Sequence, residues 1–426
     1  MKSIPRILVV EDSKFFNNLV SKSIVKHIDA KVVSAMSFEE MRIAVEGSAE
    51  PFKLALVDIV LPDAPEGEAI DWLVAHGIPC IVFTSMLSSD VRERVLAQNV
   101  IDYVLKDTPS SLAYLMKLVT RLHKNRETTV MVVDDSRMAR KHMRNLLSDY
   151  QFRVLEANNG REALTILGTN PEIRMILTDY HMPEMDGIEM IKRIRLTHDP
   201  ERLMIIGMSS GGGSALSAQF IKHGANDYIN KPFLPEEFFC RIMQNIQVLD
   251  MIDRLTEMAT KDALTGIHNR RFFFEAGEAF FANVKRDNIT LTTAVVDVDL
   301  FKKINDTHGH AAGDVVLKRI AAVLRGQCRK TDLVARLGGE EFAILAVNMA
   351  EDSVIPFFER CRKAIEAEVI ECEGERLGVT ASFGVSRGCY HDLDSMLQIA
   401  DRMLYKAKEN GRNRVELNIL EELQLA

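Results

Sequence analysis

The sequence predicts an α/β protein of several compact units, on three observations. Short apolar runs alternate with helix-length amphipathic segments, the pattern of a doubly wound parallel sheet. A set of acidic and lysine-bearing motifs occurs twice, a little over 120 residues apart. The last third of the chain carries a two-glycine hairpin with acids at its tip.

At 426 residues the chain is too long for one ordinary core. The expected division is residues 1–125, 126–248 and 255–426, with a helical linker over 236–261 that continues the last helix of the second unit. A balance of 53 basic against 61 acidic residues, net charge −8, argues against nucleic acid and against broad binding to anionic membrane. Six cysteines without a CxxC pair indicate neither a zinc site nor a disulfide framework. No stretch approaches eighteen apolar residues and no export signal is visible, so a cytoplasmic protein without membrane insertion is expected.

The repeat pairs Glu11-Asp12-Ser13 with Asp134-Asp135-Ser136, Leu56-Val57-Asp58 with Leu177-Thr178-Asp179, and Asp102-Tyr103-Val104-Leu105-Lys106 with Asp227-Tyr228-Ile229-Asn230-Lys231. Each acid follows an apolar run, at the carboxyl end of a predicted strand, where such sheets bind their ligands. Both copies resemble the receiver domain of bacterial response regulators, over residues 4–123 and 128–248, which implies two flavodoxin-like domains. The resemblance implies Mg²⁺ at Glu11 and Asp12, a phosphoacceptor at Asp58, and a switch set of Thr84, Tyr103 and Lys106. In the second copy the same roles fall on Asp134, Asp135, Asp179, Ser209, Tyr228 and Lys231, with a cis bond at Lys231-Pro232. A sensor histidine kinase would be the phosphate source.

The copies differ. The first has a longer loop, Leu61-Pro62-Asp63-Ala64-Pro65-Glu66-Gly67, and Asp107 after its lysine, and its Asp58-to-Thr84 interval is four residues shorter, which predicts a shortened third helix. The second has Gly211-Gly212-Gly213 after its switch serine, predicting a mobile loop.

Ile242, Ile246, Leu249, Ile252, Leu255 and Met258 recur at spacings of three and four, the period of a helix. Its first half is expected to pack on the preceding sheet and its second half to form a seam with another helix.

In the last unit, Gly338-Gly339-Glu340-Glu341 joins two apolar runs, and Thr292-Thr293-Ala294-Val295-Val296 leads into Asp297-Val298-Asp299. Two acidic clusters at strand ends can share one cation together with nucleotide phosphates. With Asp262-Ala263-Leu264-Thr265 and the Asp297-Val298-Asp299-Leu300-Phe301-Lys302 run, the hairpin resembles the GGDEF domain of diguanylate cyclases, over residues 255–417. That resemblance implies an α/β, nucleotidyl-cyclase-like domain that joins two GTP molecules into cyclic di-GMP and acts as a homodimer. It implies Mg²⁺ at Asp297, Val298 and Glu340, and catalytic roles for Lys302, Glu340 and Glu341. Phosphate contacts would come from Leu300, Phe301, Lys408 and Arg412, and guanine contacts from Asn305 and Asp314. Arg329-Lys330-Thr331-Asp332, five residues before the hairpin, matches the family's inhibitory product site, with Arg360 as a second contributor. The alternative reading is a catalytically silent scaffold that binds GTP or cyclic di-GMP.

Overall fold

A computed structural model describes residues 4–85, 100–106, 109–211, 213–287, 290–372, 375–388 and 392–419. Asp107 and Gly212 lie outside the described residues. The chain divides into two compact units, residues 1–249 and 250–426.

The first unit contains two lobes with one topology. In the first lobe the strands lie in the spatial order Lys31–Ala35, Arg6–Val10, Phe52–Val57, Cys80–Thr84, Asp102–Leu105. In the second the order is Arg153–Ala157, Thr129–Val133, Ile173–Asp179, Met204–Ser209, Asp227–Asn230. Every pairing is parallel. The inner strands are apolar at successive positions because both faces are covered. Leu8, Val10 and Val57 enter one core layer, and Ile7, Val9 and Leu56 enter the layer on the opposite face.

The four residues missing between Asp58 and Thr84 are lost mainly after the third helix. That helix spans Glu68–Ala75 and its counterpart Gly187–Arg195, eight residues against nine, while residues 76–79 stand where the second lobe has 196–203. The helix is shorter as expected, though by one residue only, and most of the difference falls on the connection to the next strand. The Lys231-Pro232 peptide bond is cis.

The lobes meet through contacts that no motif announced. Tyr150 donates its hydroxyl to the Ile101 carbonyl at 2.8 Å, and the Gln151 amide donates to the Lys53 carbonyl at 2.7 Å. Asn125, fully buried, donates to the Tyr150 carbonyl at 3.0 Å. The Tyr150 ring stacks on Phe239, with centroids 3.5 Å apart.

Helix Pro235–Thr260 buries Phe238, Ile242, Ile246 and Leu249 and then exposes Met251, Leu255 and Met258. The first half packs on the second lobe as expected, and the second half, expected to form a seam with another helix, presents exposed apolar residues. Asn269 closes the helix by donating to the Ala259 carbonyl at 2.8 Å.

The second unit is built on a six-stranded sheet in the order His268–Asn269, Leu333–Gly338, Glu341–Val347, Leu291–Val298, Ala381–Arg387, Val415–Ile419. The central strands are antiparallel, and their register sets Asp297 opposite Glu341. Phe301, Val316, Ile320, Phe358 and Phe383 fill the core on one face, and Phe273, Leu345, Met396 and Leu404 the other. No helix among the described residues is long and apolar enough to cross a membrane, and five cysteines there are free thiols.

Candidate active sites

In the first lobe, strand ends bring Glu11, Asp12 and Asp58 together, with one carboxylate oxygen from each within 4.8 Å of the others. Lys106 donates its ammonium to both Glu11 and Asp58. Burial pushes the Glu11 carboxyl above its ordinary value, against the opposing pull of Lys106. Thr84, at the end of its strand, is buried, and Tyr103 is half-buried.

The second lobe repeats the lysine contacts but not the triad. Lys231 lies 2.6 Å from Asp134 and 2.6 Å from Asp179, while Asp135 is exposed. Burial alone would lower the Lys231 ammonium, yet hydrogen bonds to Asp134 and Asp179 raise it above its ordinary value. The Ser209 hydroxyl donates to the Gly211 carbonyl at 2.9 Å, and the Tyr228 side chain is buried beside it.

The sheet of the second unit sets the glycine hairpin beside Asp297. Gly338 and Gly339 have φ of +153° and +51°, and a Cβ at either would meet nothing within 4 Å, so backbone conformation rather than crowding calls for glycine. The Val298 amide donates to the Glu340 carbonyl at 3.4 Å, which ties the hairpin tip to the neighbouring strand end. Burial pushes the Asp297 carboxyl above its ordinary 3.8, with Glu340 and Asp299 adding to the effect and Lys408 opposing it. Burial likewise raises Glu341, reinforced by the charges of Asp297 and Asp401. Lys408 Nζ lies 2.8 Å from Asp297 Oδ2, so a cation already neutralises this carboxylate. Two carboxylates and a backbone carbonyl form an all-oxygen donor set suited to Mg²⁺.

Leu300, at φ +55°, turns the chain sharply into helix Phe301–Gln327, which is broken at Gly309. Its first turn leaves unpaired backbone amides around Leu300, Phe301 and Lys302. The break lets the helix fold a second segment against the first, bringing Asn305 against Gly313. An added Cβ at Gly313 would lie 2.0 Å from Asn305 Oδ1. Among the described residues, that buried oxygen has no hydrogen-bond partner. Asp314, the next residue, is exposed.

Comparison with known proteins agrees with this geometry. Residues 259–414 match the family model described as diguanylate cyclase, GGDEF domain, and residues 130–243 the one described as response regulator receiver domain. The chain carries a receiver domain and a C-terminal GGDEF domain. Diguanylate cyclase A of Treponema denticola is 38% identical over 187 residues, 42% of this chain and 50% of that protein. The response regulator PleD of Caulobacter vibrioides is 28% identical over 297 residues, 67% of this chain and 65% of PleD. The chain thus spans half to just under two thirds of these curated relatives. A crystal structure of a two-component system response regulator/GGDEF domain protein is 39% identical, with TM-score 0.51, covering 58% of this chain and 99% of that one.

Within the GGDEF domain, Asp299 departs from its expected place in a cation-binding cluster. Its carboxylate is buried and accepts from Thr380 Oγ1 and Ser382 Oγ, both at 2.7 Å, and from the Asn413 amide at 3.0 Å. It anchors the turn Gly411–Asn413, whose three residues all have positive φ and which carries the exposed Arg412.

The turn before the hairpin holds the remaining predicted residues. Asp332 is buried, and its carboxylate accepts from the Arg329 amide at 2.8 Å. The Arg329 side chain is exposed, and Arg360 donates to Gln327 at 3.0 Å on the same side of the domain. Sequence reasoning missed Arg336, which reaches from its strand to Asp262 and to the hairpin turn. An arginine two residues before the glycine pair was the available signal.

Proposed function

We propose that this chain is a diguanylate cyclase response regulator: it condenses two GTP into cyclic di-GMP and two pyrophosphates, under control of receiver phosphorylation and of its product. The observation that carries this reading is the meeting of Glu340, Glu341 and Asp297 at adjacent strand ends, with an orphaned, buried amide oxygen on the neighbouring helix. Mg²⁺ held by Asp297, Glu340 and the Val298 carbonyl would neutralise phosphate charge.

Guanine presents an amino group and a ring N–H along one edge, donors that Asn305 Oδ1 and Asp314 can accept. The phosphates lie over the amides of Leu300 to Lys302, as anions do at helix N-termini. Lys408 releases Asp297 when nucleotide binds and pairs with the phosphates, together with Arg412. Lys302 stabilises charge as the 3′-hydroxyl of one GTP attacks the α-phosphate of the other in line, and pyrophosphate leaves. Glu341, raised by burial, accepts the hydroxyl proton. One such site holds one GTP, so turnover requires two domains facing across a two-fold axis.

The N-terminal lobe is read as a second receiver because it shares its neighbour's topology and lysine contacts and carries an acid triad of its own. Asp58 and Asp179 are its and its neighbour's phosphoacceptors, supplied by a sensor histidine kinase. Arg329, Asp332 and Arg360 form the inhibitory product site. The test is incubation of the purified chain with Mg²⁺ and GTP. Cyclic di-GMP and pyrophosphate support the cyclase, while bound but unchanged GTP supports the silent scaffold.

A further inference from the structure

A cavity of about 790 Å³ opens between the two lobes of the first unit, at the end of the sheets opposite Asp58 and Asp179. Its walls include Phe52, Lys53 and Pro79 at strand starts of the first lobe, His123 and Arg126 at the junction, and Gln151 and Arg153 from the second lobe. Lys53, Arg126 and Arg153 make no side-chain hydrogen bond or ion pair with any described residue, although Asp29 and Glu127 stand on the same walls. Three cations drawn from both lobes into one recess, none of them compensated, repel one another unless an anion joins them. The recess has the size of a small-molecule site. Its geometry is fixed by the 2.7 Å bond from Gln151 to the Lys53 carbonyl, made by a residue held at φ +63°. That turn leads into the strand that begins at Arg153.

We propose that this cavity binds a small soluble anion bearing phosphate groups, up to a nucleotide in size, gripped by Lys53, Arg126 and Arg153. Arginine and lysine on converging walls suit a multiply charged phosphate, and His123 adds a donor. Because the cations come from both lobes, a bound anion also braces the lobes against each other.

The chain's single tryptophan makes the site observable. Trp72 stacks on His76 with centroids 3.7 Å apart, and Gly77, the next residue, lines the cavity. Inorganic pyrophosphate titrated into the full-length protein in EDTA should change Trp72 fluorescence saturably, and equilibrium dialysis should show matching binding. Arg126→Ala/Arg153→Ala should weaken that binding at least tenfold, and Arg153→Gln, at an exposed position, should weaken it several-fold with an unchanged thermal midpoint. Absence of saturable binding in the parent, or equal binding in the double variant, would overturn the proposal. Co-sedimentation with phosphatidylglycerol vesicles that the same double variant abolishes would overturn the assignment to a soluble ligand.

Discussion

Arg336 joins Asp262, just past the end of the long helix, to the glycine hairpin. Its guanidinium lies 3.2 Å from Asp262 Oδ1 and donates to the Gly339 carbonyl at 2.7 Å. Arg336 thus links the end of the helix to the backbone beside Glu340. Burial would raise the Asp262 carboxyl, but hydrogen bonds from Thr265 and Arg336 prevail and hold it below its ordinary 3.8. A depressed carboxylate contributes stability that is complete above the unfolded value and is lost as pH falls through the lower folded value. Arg336→Lys, which removes the planar fork, should cost about 1 kcal/mol at neutral pH. That deficit should shrink as pH falls below the ordinary 3.8 of Asp262 and through its lower folded value. Turnover should fall several-fold, and thermal melts across pH alongside cyclase assays check both effects.

Asp299 should prove structural rather than catalytic. Its carboxylate accepts three hydrogen bonds on its two oxygens in a buried site, and Asn would replace one of those oxygens with an NH2 donor that faces a donor. Asp299→Asn should therefore cost about 2 kcal/mol and lower the thermal midpoint by about 4–8 °C. Mg²⁺ affinity measured below the melt should stay within about threefold of the parent, well short of the loss expected for a removed metal ligand.

Phosphorylation of Asp179 should control output more strongly than that of Asp58. The second lobe has the regular loop and leads directly into helix Pro235–Thr260. The first lobe has the closer acid triad, so it should take up Mg²⁺ and phosphate, yet it acts on that helix from a neighbouring lobe, through contacts such as Ile101 with Tyr150, which stacks on Phe239. Cyclase rates with and without beryllofluoride should respond in Asp58→Asn and not in Asp179→Asn. A response retained by Asp179→Asn and lost by Asp58→Asn would reverse the ranking.

Feedback should depend on Arg329 more than on Asp332. The Asp332 carboxylate is committed to its own turn, whereas the Arg329 side chain is exposed and can make a forked contact with phosphate or guanine. Arg329→Ala should weaken cyclic di-GMP binding in calorimetry at least tenfold and relieve inhibition, with uninhibited turnover unchanged. Equal binding and equal inhibition would place the product site elsewhere.

The parts of this molecule legible in the sequence are those that sit at strand ends within a few residues of one another. Asp58 and Asp179 follow apolar runs, and Glu340 follows a glycine pair, so local pattern locates them. Pairings across long separations are not written locally. Arg336 meets Asp262 across 74 residues and Asp299 meets Asn413 across 114, and neither pair has a spacing to read. The run Asp297-Val298-Asp299 led Asp299 to be grouped with Asp297, but the strand ends at Val298 and the Asp299 carboxylate is taken up by Thr380, Ser382 and Asn413. The contact between the lobes was hidden for a related reason: Tyr150 and Gln151 belong to an ordinary turn until another lobe lies against it.

The central claim rests on Glu340. Turnover of GTP to cyclic di-GMP by the purified parent and by Glu340→Gln, measured at saturating Mg²⁺ and GTP, tests it most directly. The substitution keeps the shape and removes the charge, so the account predicts product from the parent and a rate lower by at least about a hundredfold, more than 2.7 kcal/mol of barrier, in the variant. Near-parental turnover by Glu340→Gln, or no product from the parent, would contradict it.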